Sequence, residues 1–124
     1  PYPPGFPFGE ADDPPLQRWI LRAVLALVER LEQAGIEVVT PDKSQKAVVH
    51  RVIYEELCRG KVCPSSRKAY LDIVASLAYQ GAQGVILGCT EIGLLIGQAD
   101  TPIALYDTTK IHAAIAVDRT LEGI

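Results

Sequence analysis

Gly84-Val85-Ile86-Leu87-Gly88-Cys89-Thr90-Glu91 is the stretch on which the fold turns. Three apolar residues run without interruption between two glycines, the pattern of a short parallel strand covered on both faces. Ile92 to Ile96 reads as a short helix, so Cys89 falls where a strand gives way to a helix. Downstream, Ile103-Ala104-Leu105-Tyr106 reads as another strand. Thr108 to Leu121 then forms a final helix with Ile111, Ala114, Ile115 and Val117 on or near one face.

Upstream the alternation continues. Ile36-Glu37-Val38-Val39 is short, β-branched and closed by Thr40-Pro41-Asp42, which predicts a strand ending in a turn. The stripe Val49, Val52, Ile53 and Leu57 predicts a helix from about Lys43 to Cys58, stopped near Gly60. Ser65 or Ser66 opens the next helix, with Leu71, Val74, Leu77 and Ala78 inward and Gly81 at its end. Before all of these, Asp13 and Pro14 suit a helix start, and Ile20, Val24, Leu27, Val28 and Leu31 recur at helical spacing up to Gly35. The order of elements predicts an α/β fold, three-layered around a small parallel sheet. Three strands leave two open edges, so either the fold is part of a larger α/β protein or another chain completes it.

The sequence has 124 residues with Lys+Arg 12 against Asp+Glu 15, which is one domain of mildly acidic protein. With 48% hydrophobic and 22% charged residues it has the balance of a globular chain rather than a disordered one. A net charge of -3 and no basic run argue against nucleic acid. The apolar stretches Ile20 to Val28 and Val85 to Ile96 are too short or too interrupted to span a bilayer. Residues 1–15 hold six of the nine prolines and read as a leader or linker, with 16–124 as the α/β domain. The lack of methionine, with Pro1 at the start, fits a fragment or a processed piece. Cys58, Cys63 and Cys89 are an odd number beside no signal-peptide pattern, which points to a reducing cytoplasm rather than a disulfide framework.

If the strands are parallel, Asp42, Cys89 and Asp107 all lie just past strand C-termini, the edge at which open α/β folds bind ligands. Cys89 has two readings: a small buried residue at a glycine turn, or a reactive thiol whose thiolate is favoured by the helix start. Thr90 and Glu91 can cap the same helix, and Asp107 before Thr108 is an ordinary N-cap position. His112 near that helix start is disfavoured as an imidazolium, which suits a neutral hydrogen-bond partner. No Cys-x-x-Cys pair occurs, and Leu95 stands where a cysteine phosphatase loop needs arginine. Cys58 and Cys63 show no clean ligand spacing with His50 or His112, so no metal site is assigned. Trp19, Tyr54, Tyr70 and Tyr79 sit at helical intervals and read as packing.

The segments GVILGCTEIGLLI at 84–96 and PIALYDTTKIHAAIAVD at 102–118 resemble the C-terminal signature of the aspartate/glutamate racemase superfamily, and most of all its aspartate racemases. AGIEVVTPD at 34–42 and VIYEELCRGK at 52–61 are similar to the preceding part of the same family, so the likeness covers roughly residues 30 to 122. The resemblance implies racemisation without PLP, metal or any other cofactor. One cysteine thiolate removes the α-proton and a second cysteine returns one, in a cleft between two similar α/β domains. It places Cys89 as the C-terminal acid/base cysteine and makes Thr90, Glu91, Asp107, Thr108 and His112 substrate-binding candidates.

Departures from the family pattern are equally specific. The other cysteine, in a Cys-Asn-Thr motif, has no counterpart before residue 30, and neither Cys58 nor Cys63 matches it. Some members place a substrate-binding lysine where this chain has Val48, so Lys46 is an off-register candidate. The resemblance therefore implies the second half of an aspartate-type racemase in the cytoplasm, acting on aspartate or glutamate. It is expected to be a homo-oligomer or to dock to a missing N-terminal domain. The competing expectations are a non-catalytic binding module and a one-cysteine decarboxylase or isomerase of small dicarboxylic acids.

Overall fold

A computed structural model describes residues 26–123 of the chain. The leader over 1–15, the Asp13 cap, Trp19 and the start of the first predicted helix lie outside these residues. The described residues divide between Val38 and Val39 into two units.

In the first unit, residues 26–33 are helical (α1). Gly35 ends the helix with a φ of 78°, a left-handed conformation that glycine takes without steric penalty. The Ile36 amide returns to the Leu31 carbonyl at 2.9 Å. The predicted strand over 36–39 does not form: residues 36–42 pair with no other segment among the described residues, and Ile36 is 51% exposed. β-Branched composition only makes a segment suited to a half-buried ladder, and a strand exists once a neighbour supplies the ladder.

In the second unit, Asp42 serves the next helix rather than a strand end. Its carboxylate accepts from the Gln45 amide at 2.8 Å, while the Gln45 side chain accepts from the Asp42 amide at 3.0 Å. This reciprocal box opens α2 (Lys43–Arg51). The helical path continues through a wide π turn, Val52–Glu56, and a tight 3₁₀ turn, Leu57–Arg59, before Gly60 stops it with a φ of 72°. Tyr70 from the following helix donates its hydroxyl to the Val49 carbonyl at 2.9 Å, immediately before the π turn. A side chain bonding into the ladder there is a recognised cause of local widening.

Helix α3 spans Pro64–Tyr79 and starts at Pro64, with Cys63 as N-cap, rather than at Ser65 or Ser66. Proline suits the first helical position because the amide it lacks would have no intrahelical partner. Ser66 is instead buried at 3% exposure and donates to Glu56 at 2.5 Å. Inside the core α3 contributes Tyr70, Ile73, Val74 and Leu77, whereas Ala78, expected inward, is exposed.

Strand β1 (Gly84–Leu87) pairs in parallel with β2 (Ala104–Asp107), from Gly84 opposite Ala104 to Leu87 opposite Asp107. The α/β fold class stands, with a two-stranded sheet among the described residues. β2 starts one residue later than the predicted 103–106. Gly84 leaves room for Tyr106: a Cβ at 84 would lie 2.6 Å from the Tyr106 ring, which crosses it diagonally on the same face.

Between the strands come α4 (Ile92–Leu95) and a 3₁₀ turn, Gln98–Asp100. Asp100 closes this turn on the Gly97 amide at 2.8 Å and pairs with Arg67 of α3. The principal cluster joins Val52 and Leu57 to Tyr70, Val74, Leu87 and Ile92, with Val52 fully buried.

Two burial expectations are corrected. β1 is covered on one side rather than two, since Leu87 is 5% exposed but Ile86 is 44% exposed. Alternate residues of a strand point to opposite faces, and among the described residues it is the Val85 and Leu87 face that packs into the core cluster. Helix α5 (Thr108–Glu122) runs one residue past its predicted end but buries no residue, leaving Ile111, Ile115, Val117 and Leu121 exposed. Its apolar stripe has no covering element among the described residues.

Candidate active site

Cys89 sits two residues beyond the end of β1, in a turn whose geometry is set from both sides. The Ile92 amide bonds back to the Cys89 carbonyl at 3.3 Å, and the Leu94 amide to the Glu91 carbonyl at 3.0 Å, which winds the chain into α4. On the other side, the Thr108 hydroxyl donates to the Leu87 carbonyl at 3.0 Å and ties the last residue of β1 to the start of α5. The turn is thus fastened to the corner between β2 and α5.

Within it, one carboxylate oxygen collects two donors. The Cys89 Sγ donates to Glu91 Oε2 at 2.9 Å, and the Thr90 hydroxyl donates to the same oxygen at 2.7 Å. Glu91 is held below its usual carboxylate range by the Cys89 and Thr90 hydrogen bonds, in that order. The Cys89 thiol is pushed up to about 11, first by burial and then by the Glu91 carboxylate that accepts its proton. This reverses the expectation of a thiolate favoured by a helix start. α4 is only four residues long, so its dipole is small, and the nearest full charge is negative.

The remaining sequence candidates have definite places. Asp107 accepts the Thr109 and Lys110 amides on Oδ1 at 3.1 and 3.2 Å, as the N-cap of α5, and lies 3.7 Å from Lys110 Nζ through Oδ2. Thr108 spends its hydroxyl on Leu87, so its effect on Cys89 passes through the backbone of β1. His112 is exposed on α5 and makes no side-chain hydrogen bond among the described residues. Lys46 is exposed on α2, where its charge acts on Asp42. Asp42 itself is no strand-end residue, because the strand it was to follow does not form. The turn therefore gathers Cys89, Thr90 and Glu91, with Asp107 and Thr108 alongside, and among the described residues no hydrogen bond joins the exposed Lys46 or His112 to it.

Tyr70 is the residue whose place sequence reasoning missed. It is 4% exposed, and its hydroxyl is raised by burial and then by the neighbouring Cys89. Its helical spacing marked it correctly as core, but nothing in the sequence shows that this part of the core lies beside the thiol. The set of partners around Glu56 was likewise unforeseen. Glu56 accepts from Ser66 and from Arg51 at 2.8 Å and is held low by both, which ties the π turn to the start of α3. Cys63 is raised by burial and by Glu56, and it stays in the thiol form. Among the described residues no three His, Cys, Asp or Glu side chains gather as a metal would require.

A cysteine carried just past the C-terminal end of a parallel strand, with a carboxylate in hydrogen-bond contact, marks an α/β protein with a thiol–carboxylate pair at its sheet edge. Residues 22–116 match the model of the Asp/Glu/hydantoin racemase family, and the chain belongs to that family. It is 48% identical to a candidate Asp/Glu racemase from Yersinia pestis, with a TM-score of 0.68 over 73% of this chain. An aspartate racemase homologue from Pyrococcus horikoshii is 34% identical, with a TM-score of 0.66 over 73% of this chain. In each case the match covers 40% of the other protein's chain.

Proposed function

We propose that this chain carries one of the two acid/base groups of a cofactor-independent racemase of acidic amino acids, of the aspartate type, with Cys89 as that group. The observation that carries this reading is the Cys89 thiol bonded to Glu91 at the end of β1. A thiol raised to about 11 is almost wholly protonated at neutral pH, and so is ready to act as an acid. Its conjugate thiolate is correspondingly basic, as removal of a weakly acidic α-proton demands.

The proposed step is a proton exchange with no net redox change. A base on one face of the α-carbon takes its proton, the electron pair stays on carbon, and Cys89 delivers its own proton to the opposite face. Run in reverse, the Cys89 thiolate takes the proton and the other group returns one. Glu91 holds the Cys89 proton in line between turnovers, and its negative charge favours a substrate ammonium nearby. Thr90 keeps Glu91 oriented by donating to the same oxygen, while Asp107 and Thr108 hold the flank of the site.

The second acid/base group is proposed to lie in the part of the family fold that this chain does not span. Surface depressions near Cys63 and Arg67 and near Ser44 and Asp72 do not include Cys89. The exposed Ile86, Tyr106 and α5 stripe supports the reading that a further domain or a second copy covers this side.

The test is protection of the thiol by its substrate. Alkylation of Cys89 by iodoacetamide, followed by peptide mass spectrometry, is expected to slow with aspartate or glutamate and not with alanine. Equal rates with all three would overturn the assignment of an acidic amino acid to this turn.

A further inference from the structure

Gly93 is the second residue of α4, and the side chain it lacks is the space into which Asp107 reaches. A Cβ on Gly93 would stand 2.7 Å from Asp107 Oδ2 and 3.6 Å from its Cγ. The first distance is shorter than non-bonded carbon and oxygen atoms tolerate, so one side must move by several tenths of an ångström. The carboxylate is poorly placed to be the side that moves, because its other oxygen holds the Thr109 and Lys110 amides at the start of α5. α4, in contrast, is four residues long and follows directly on Glu91.

We infer that Gly93 is a positioning residue: by admitting the Asp107 carboxylate against α4, it sets the distance between the Cys89 turn and the corner of β2 and α5. The turn is then gripped at two points by one dipeptide. Thr108 holds its leading side through the Leu87 carbonyl, and Asp107 abuts its trailing side at Gly93. Any side chain at 93 drives the trailing side outward while the leading side stays fixed. The distortion falls on the residues between, Gly88 to Ile92, which include both members of the Cys89–Glu91 pair. The catalytic meaning of this arrangement rests on the role proposed for Cys89, but the mechanical coupling does not.

Alkylation of Cys89 measured against pH, without substrate, reads the coupling separately from turnover. In G93A the Cys89–Glu91 hydrogen bond lengthens, the midpoint of the Cys89 profile falls towards the ordinary thiol range, and alkylation at pH 8 rises about twofold to threefold. Cys58 and Cys63, followed in the same digest, keep their rates. The second variant is D107S, in which a shorter side chain still caps α5 but leaves the space beside residue 93 free. G93A/D107S is expected to show the Cys89 profile of D107S alone. If G93A does not fold, folding of G93A/D107S supports the inference, and failure of both overturns it. A G93A profile equal to that of the unsubstituted protein, or one that D107S leaves equally displaced, also overturns it. Loss of aspartate protection with the coupling intact would count against the proposed function alone.

Discussion

Replacing Glu91 by glutamine separates the two causes that raise the Cys89 thiol. The substitution keeps the size of the side chain and an oxygen acceptor for the thiol and for Thr90, but removes the negative charge 2.9 Å from the sulfur. Burial, the larger cause, is untouched. A hydrogen bond to a charged acceptor is worth about 1.5–3 kcal/mol against roughly 0.5–1.5 for a neutral one, so the difference is on the order of 1 kcal/mol. At 1.36 kcal/mol per unit, the thiol is expected to fall by about one unit and to remain above the free-cysteine value. The thiolate fraction at pH 8 then rises about tenfold. The less basic thiolate is a weaker nucleophile by about threefold, which leaves alkylation about threefold faster. The assay is the pH dependence of Cys89 alkylation, supported by thiolate absorbance in a C58S/C63S background. An E91Q midpoint equal to or above the starting value would refute the account, because it would mean that the carboxylate does not hold the proton.

Three further outcomes follow from the same contacts. T108V removes the hydroxyl that donates to Leu87, so thermal unfolding is expected to register a loss of about 1 kcal/mol. V52A cuts two methyl groups from the one fully buried side chain among the described residues, at a cost of about 2 kcal/mol in a denaturant titration with the slope unchanged. Acid should destabilise the fold in a defined window. Asp42, Glu56 and Asp100 are all held below their ordinary values of 3.8, 4.5 and 3.8. A carboxylate lowered in the folded state contributes stability above its unfolded value and loses it as pH falls through the folded one. The unfolding midpoint is therefore expected to hold steady above about pH 5.5 and to fall as the pH is taken below 4.5 towards 3. A midpoint that rises over that interval would contradict the sign.

The parts of the fold legible in the sequence are those fixed by local chemistry. The glycines at 60 and 81 end helical segments in left-handed conformations, as their positions after apolar stripes imply. The order strand, short helix, strand, helix from residue 84 onwards follows from runs and turns that are complete within themselves. What the sequence withholds is what depends on a partner. Ile36 to Val39 has the composition of a strand, but no composition states which segment will hydrogen-bond to it. α5 has a periodic apolar stripe, which marks a face suited to burial without showing what buries it. The π turn at Val52–Glu56 depends on a hydroxyl reaching Val49 from 21 residues further along, a contact that local propensity does not encode.

For the candidate site, the grouping of Cys89, Thr90 and Glu91 is legible because they adjoin one another at a strand end. Their protonation is not. Reading the turn as a helix start predicted a thiolate, whereas a Glu91 side chain folding back two residues makes the thiol the stable form. Asp107 and Thr108 were legible as neighbours of the site, but their side chains hold the corner that the Cys89 turn is fastened to. Lys46 came from a family pattern and His112 from its place near a helix start as well, and this fold leaves both exposed, with no hydrogen bond to the turn among the described residues.

The most direct measurement of the central claim is exchange of the α-hydrogen of aspartate for deuterium in D₂O, followed by proton NMR. The sample is the chain with whatever further domain or copy it proves to require, compared with its C89A counterpart. The account predicts wash-in by the unsubstituted protein and a loss on the order of a hundredfold to ten-thousandfold in C89A, the usual effect of deleting a general acid/base. Equal wash-in by the two proteins would contradict it.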